Sequence, residues 1–311
     1  MSRRIKIGIG LVITLLVLFL AISFYFSSLI ITPRRVPLVN SEAWLEERHG
    51  IPYAELMAPY GEPQFFSVIG EDNAMINGWL FDNSAECAVI LAHGWSSNRL
   101  GSHKFMDVYW ERGCDVVIYD HRGHGESGGE FGTGGNLEKF DLLYVTDWVS
   151  AETGLARNQI GWHGSSWGAA TALQAAALDH EIAFVVADSS FRDWEAAIVE
   201  RALRLYGSPV TPLLGTAMSL AGMRTSTNYQ AASPYIAARE IVSPVMLIHS
   251  TTDTETESWQ SADIFSQLNP DNSVFHNTDW GAEHTRDVYE RPDEYRALVY
   301  DFIDTYVGGF K

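Results

Sequence analysis

The chain has 311 residues, 46% hydrophobic and 19% charged, with a formal net charge of −18 from 39 acidic and 21 basic side chains. That is a globular composition with room for a sizeable core, in one large domain or two small ones. The acid excess excludes nucleic acid as a partner, because phosphates would meet like charge, and two cysteines, Cys87 and Cys114, are too few for a cysteine-rich metal cluster.

The first element is apolar. From Ile7 to Ile31 the chain is rich in Leu, Ile, Val and Phe and carries no charge. A bilayer core takes about 20 apolar residues in a helix, whereas the apolar part of a secretory signal runs to roughly 7–15 and ends in small residues. Here the far end reads Phe24-Tyr25-Phe26-Ser27-Ser28, so residues 1–35 are expected as an uncleaved, single-pass membrane anchor. Tyr25 and Phe26 suit an interfacial aromatic belt. Arg3, Arg4 and Lys6 precede the span and only Arg34 and Arg35 follow it. This bias places the N-terminus in the cytoplasm and the rest of the protein outside the cell membrane. No catalytic candidate lies in the anchor, so its removal is expected to leave a soluble, active domain.

Residues 36–63 hold Pro37, Pro52, Pro59 and Pro63 and read as a linker. One short helix is expected near residues 41–48, capped by Ser41. From residue 64 to 311 the rhythm changes. Gln64–Gly70 and Ala74–Phe81 suggest a hairpin. Apolar strands at Ala88–Ala92, Asp115–Tyr119, Ile160–His163, Phe184–Ala187, Val245–His249 and Ser273–His276 then alternate with helical stretches near residues 102–112, 140–152, 167–178, 258–268 and 293–307. Short, continuously apolar strands between helices imply a buried, mostly parallel sheet covered on both faces. Each cysteine opens one of these runs, which favours two buried thiols; a single disulfide stays open for an oxidising compartment. Residues 191–243 hold no strand, only helical stretches at 194–205 and 213–223. Open α/β sheets bind ligands at the carboxyl ends of their strands, so this insertion is expected as a small helical cap there.

Gly164-Ser165-Ser166-Trp167-Gly168 lies between the strand at Ile160–His163 and the helix-forming run from Ala169. G-x-S-x-G at a strand-to-helix junction is a nucleophile elbow, and its spacing selects Ser166 over Ser165. A serine needs a base, and the base an orienting acid; with such an elbow the order along the chain is Ser, acid, His. Of the histidines that follow, His180 ends the helix behind the serine, and His249 and His276 end strands. His284 lies in the loop between the last strand and the last helix, which makes it the candidate base. Asp253, in the loop after Val245–His249, is the candidate acid, with Glu255 and Glu257 as competitors. A metal site built from His121 and His124 with His93 or His163 is disfavoured, because the glycine-rich turn around the first two lacks helical spacing.

Read in order, His93-Gly94-Trp95, Asp120-His121-Arg122-Gly123-His124-Gly125-Glu126-Ser127, Glu138-Lys139-Phe140-Asp141-Leu142 and the elbow resemble the α/β-hydrolase superfamily, in particular its membrane-anchored bacterial hydrolases and the prolyl-oligopeptidase-like and acyl-hydrolase branch. The resemblance runs from Gln64 to Phe310. It implies an α/β-hydrolase fold: an eight-stranded, mostly parallel sheet flanked by helices, with a small helical cap and one N-terminal transmembrane helix. It also puts Ser166, Asp253 and His284 on the triad positions and assigns the oxyanion hole to the backbone N–H groups of Trp95 and Trp167. One departure stands out. Relatives carry a glycine after the strand histidine and a Val-Pro pair after the acid, where this chain has Ser250 and Thr254-Glu255-Thr256.

The expected activity is hydrolysis of an ester, thioester or amide in a small-molecule or lipid-like acyl substrate, through an acyl-enzyme and without cofactor or metal. Acyl transfer by the same triad and a non-catalytic binding role on the same fold are the alternatives.

Overall fold

The structure, a computed structural model, describes residues 2–310. Strands run over Gln64–Ile69 (β1), Met75–Phe81 (β2), Ala88–Ala92 (β3), Asp115–Tyr119 (β4), Ile160–Ser165 (β5), Val185–Asp188 (β6), Val245–Ser250 (β7) and Ser273–Thr278 (β8). Among the described residues these eight form one sheet in the order β1-β2-β4-β3-β5-β6-β7-β8. β2 pairs antiparallel with both β1 and β4, and every other pair is parallel. β3 to β7 are buried along their whole length. That is why Ala-Val-Ile-Leu-Ala in β3 reads as one apolar run rather than an alternation.

The helices are Arg3–Ile31 (α1), Leu38–His49 (α2), Tyr53–Met57 (α3), Met106–Trp110 (α4), Glu138–Thr153 (α5), Trp167–Ala176 (α6), Trp194–Tyr206 (α7), Thr211–Thr225 (α8), Pro234–Ala237 (α9), Trp259–Phe265 (α10), Asp287–Glu290 (α11) and Pro292–Tyr306 (α12). Leu142 and Val149 of α5, Leu173 of α6 and Ile264 of α10 fill the core on one face of the sheet. Val108 of α4 and Val299, Phe302 and Ile303 of α12 fill the other. Each element thus buries its apolar stripe against the sheet, and both faces are covered.

Three local expectations are corrected. The stretch expected as a linker is folded onto the body: Leu45, Met57 and Tyr60 are buried in the second core, and the Val36 carbonyl accepts from Asn98 Nδ2 at 3.0 Å. Ser41 is not a cap. Its helix begins three residues earlier, after Pro37, and its hydroxyl accepts from Asn98 Nδ2 at 2.8 Å. Cys87 and Cys114 are not two thiols but one disulfide, with Cα atoms 4.9 Å apart. Parallel pairing sets Ala88 against Asp115 and so brings the preceding residues together.

α1 is long and apolar enough to cross a membrane. From Ile5 to Ile22 its side chains are exposed apart from a partly covered Phe19. At 1.5 Å per residue this free run is about 27 Å long, close to the thickness of a bilayer's hydrocarbon core. Beyond it Ser23, Ser27, Ile30 and Ile31 are buried. Ile30 and Ile31 join Ile198 and Ala202 of α7 and Leu214, Ala217 and Met218 of α8 in a third apolar cluster. Arg224 at the end of α8 donates to Ser27 Oγ and Ser28 Oγ, each at 2.8 Å. α7 and α8 form the expected strandless insertion between β6 and β7.

Candidate active site

Ser166 stands between β5 and α6 with φ 53° and ψ −110°, a left-handed conformation that costs a side chain energy. Its N–H donates to the Asp188 carbonyl at 2.8 Å. Two glycines permit the turn. A Cβ on Gly164 would come within 2.2 Å of the Gly168 backbone, and one on Gly168 within 2.1 Å of the Ala92 carbonyl oxygen. Ser166 is left half-buried at the strand end, while Ser165 is buried in β5. Trp167 follows at the positive end of α6, where an N–H lacks an intrahelical acceptor.

Asp253 lies in the loop after β7. Its Oδ2 accepts from His284 Nδ1 at 2.6 Å and from His249 Nε2 at 3.1 Å. Its Oδ1 accepts from the N–H groups of Glu255 at 2.8 Å and Thr256 at 3.0 Å. Burial by itself would raise the carboxyl's pKa, but the bonds from His249 and His284 outweigh it and hold the group below the usual carboxylate range. The competitors are placed elsewhere: Glu255 is exposed and lies 3.7 Å from Arg204, and Glu257 is exposed.

The departures from the family pattern have a structural reason. Ser250 Oγ and Thr252 Oγ1 both donate to the Ala282 carbonyl, at 2.7 and 2.8 Å. This ties the acid loop to the histidine loop, which a glycine at 250 could not do. A proline at 255 or 256 would remove one of the two backbone donors to Asp253. Lys104 holds the histidine loop from the other side, donating to the Thr285 carbonyl at 2.6 Å. Burial lowers its pKa to about 8.

The rings of His93, His121 and His124 pack edge to face, with centroids 4.7 to 6.2 Å apart, and among the described residues no group is placed to hold a metal ion. Burial holds the His93 pKa low and that of His124 at about 3, so both rings are neutral. A neutral ring has one donor and one acceptor nitrogen. His93 Nε2 accepts from the His121 N–H at 3.0 Å, so its Nδ1–H donates to the Gly94 carbonyl at 2.7 Å. His124 Nε2 accepts from the Ser96 N–H at 3.1 Å and its Nδ1–H donates to the Arg122 carbonyl at 2.8 Å. The two rings therefore fix the peptides on either side of Trp95. In a trans peptide, a Gly94 carbonyl turned toward His93 sends the Trp95 N–H the opposite way. His163 is bonded to Tyr109 and Tyr295 beneath the sheet end.

Ser166, His284, Trp95 and Trp167 line one cavity of about 460 Å³. Its walls are Phe191, Trp194 and Ile198 near the cap and Phe26, Leu29 and Ile30 of α1. Asp253 sits behind His284, buried. Sequence reasoning passed over His249, dismissed as a strand end, and over Lys104, and it named His93 only as part of a motif and as a disfavoured metal ligand. Their signal is positional: His249 and Asp253 are four residues apart across one tight loop, and His93 and Lys104 border the loop of the early glycine motif.

Residues 102–310 match the sequence profile of the prolyl oligopeptidase family. The uncharacterized protein YqkD of Bacillus subtilis (strain 168) is 31% identical over 218 residues, 70% of each chain. An uncharacterized 31.7 kDa Escherichia coli protein from the traX-finO intergenic region is 29% identical over 112 residues, 35% of this chain and 39% of that one. Among solved structures, the Pyrococcus furiosus esterase Pf2001 superposes with a TM-score of 0.69 at 24% identity, over 89% of this chain and all of that one. The Pyrococcus horikoshii acylaminoacyl peptidase superposes at 0.61 and 18% identity, over 80% of this chain and 42% of that one. At these identities the superpositions establish the α/β-hydrolase fold.

Proposed function

The chain belongs to the prolyl oligopeptidase family of serine hydrolases, and from that premise we propose that it cleaves an acyl ester, thioester or amide through an acyl-enzyme on Ser166. Ser166 Oγ attacks the acyl carbonyl and its proton passes to His284 Nε2. His284 returns that proton to the leaving group. Water then repeats the sequence and releases the acid. Asp253 keeps the imidazole in the required tautomer and offsets the charge it gains. The N–H groups of Trp95 and Trp167 receive the developing oxyanion, each worth about 3–4 kcal/mol in such sites. The observation that carries the reading is the 2.6 Å bond from His284 to the buried Asp253, in a cavity that His284 shares with the strained Ser166.

The same reading takes α1 as a membrane anchor with the hydrolase domain outside the cytoplasm. The free length of α1, the basic residues before it and the Cys87–Cys114 disulfide, a bond at home in oxidising compartments, support this placement.

A fluorophosphonate probe tests the nucleophile. Wild type and Ser165→Ala should be labelled, and Ser166→Ala should lose both label and turnover. Labelling that persists in Ser166→Ala would overturn the assignment.

A further inference from the structure

We infer that the last turns of α1 are a substrate-binding element, and that the substrate is a long-chain acyl ester drawn from the bilayer in which α1 sits. The inference rests on the hydrolase reading above and adds the substrate class. A helix that only tethers a domain has no reason to touch the site. Here the tether's end forms part of the cavity: Phe26, Leu29 and Ile30 share it with Ser166 and His284. The join is a packed one, because Ile30 and Ile31 lie in the apolar cluster of α7 and α8.

The cavity's rim supplies the second observation. Leu29 on α1 and Leu205 and Tyr206 on α7 line the cavity, yet they are 44%, 56% and 47% exposed. Three large apolar side chains at one mouth, beside a membrane helix, are costly in water and favourable in an interface. The lipid-facing run of α1 ends at about Ile22 and the packed part starts at Ser23. The mouth therefore begins within about two turns of the acyl region, since a turn rises 5.4 Å. An acyl chain can slide from lipid along Leu29 into the cavity without crossing water, and its carbonyl then meets Ser166. The volume, about 460 Å³, lies in the range of about 300–1,000 Å³ that holds ligands of this size.

The test uses full-length protein in detergent micelles and compares kcat/KM for p-nitrophenyl dodecanoate and p-nitrophenyl acetate. Wild type should prefer the dodecanoate. Leu29→Trp, which keeps the helix apolar but fills the mouth, should lower the dodecanoate-to-acetate ratio at least tenfold, mainly through KM. Phe26→Ala, which widens the cavity, should shift the same ratio. Leu16→Trp, on the exposed run outside the cavity, should leave it unchanged. Fluorophosphonate labelling at Ser166 reports folding and the nucleophile independently. Labelled protein with no preference for the longer chain, or with a ratio that neither Leu29→Trp nor Phe26→Ala moves, would overturn this inference and leave the hydrolase reading intact. Wild type that neither labels at Ser166 nor turns over either ester would overturn both.

Discussion

Asp253 and Asp287 are both buried, and their surroundings push them opposite ways. Asp253 receives four hydrogen bonds, two from histidines and two from backbone N–H groups, so it stays charged beside His284. Asp287 has the Thr278 hydroxyl on Oδ1 and no partner on Oδ2. Burial, followed by the charge of Asp188, raises its carboxyl to about 6. An unfolded aspartate releases its proton near pH 3.9. Between about pH 4 and pH 6 the folded state thus holds a proton that the unfolded chain has lost. The contribution of Asp287 to stability therefore falls as pH rises through that window. Asp287→Asn keeps the shape and removes the titration. Its melting temperature relative to wild type should rise from pH 4 to pH 7, as calorimetry would read. An equal slope in the two proteins would show that Asp287 does not titrate there.

At the scale of elements, the Cys87–Cys114 bond ties the entrances of β3 and β4, the strands that lead to the His93-Gly94-Trp95 loop and the histidine-rich turn. It closes a segment of 27 residues, for which the chain-entropy relation gives on the order of 3–4 kcal/mol. Replacing both cysteines with alanine should lower unfolding stability in denaturant by about that amount. Reductant should lower the midpoint of wild type and leave the variant unmoved; equal behaviour of the two would mean the bond is not formed. The strands were legible in the sequence because burial on both faces writes continuous apolar runs. The turn at Ser166 was legible because its strain demands glycines, and the pairing of His284 with Asp253 follows the chain order that such a turn suggests. The disulfide was not, since it depends on the register of β3 against β4, which joins residues far apart in sequence. Nor was the start of α2, because Asn98, from the loop after β3, claims the Ser41 hydroxyl. The role of His249 was hidden in the same way: an apolar strand end looks structural until the loop after it folds back.

The whole molecule joins an acidic body, a helix long and apolar enough to cross a membrane, and a cavity of opposite local charge. The chain carries −18, a field that repels anions at long range. Around the cavity the balance inverts, since Arg34, Lys104, Arg201 and Arg204 line it against one carboxylate, Glu255. Glu255 itself faces Arg204 at 3.7 Å. In the proposed reaction the product of acyl ester cleavage is a carboxylate formed at Ser166, inside that cationic lining. A fatty acid should therefore be held more firmly than a neutral chain of equal length. Dodecanoate should inhibit more strongly than dodecanol, by roughly tenfold if one charge pair contributes about 1.4 kcal/mol. Replacing Arg34 and Arg201 together with glutamine should narrow the gap. Raising salt from about 10 to about 150 mM, which shortens the screening length from about 30 to about 8 Å, should narrow it further. Inhibition constants measured at both salt levels, in wild type and in the double variant, decide the matter. If dodecanol inhibits as well as dodecanoate at low salt, the lining does not recognise the carboxylate, and the acidic body alone sets the field at the site.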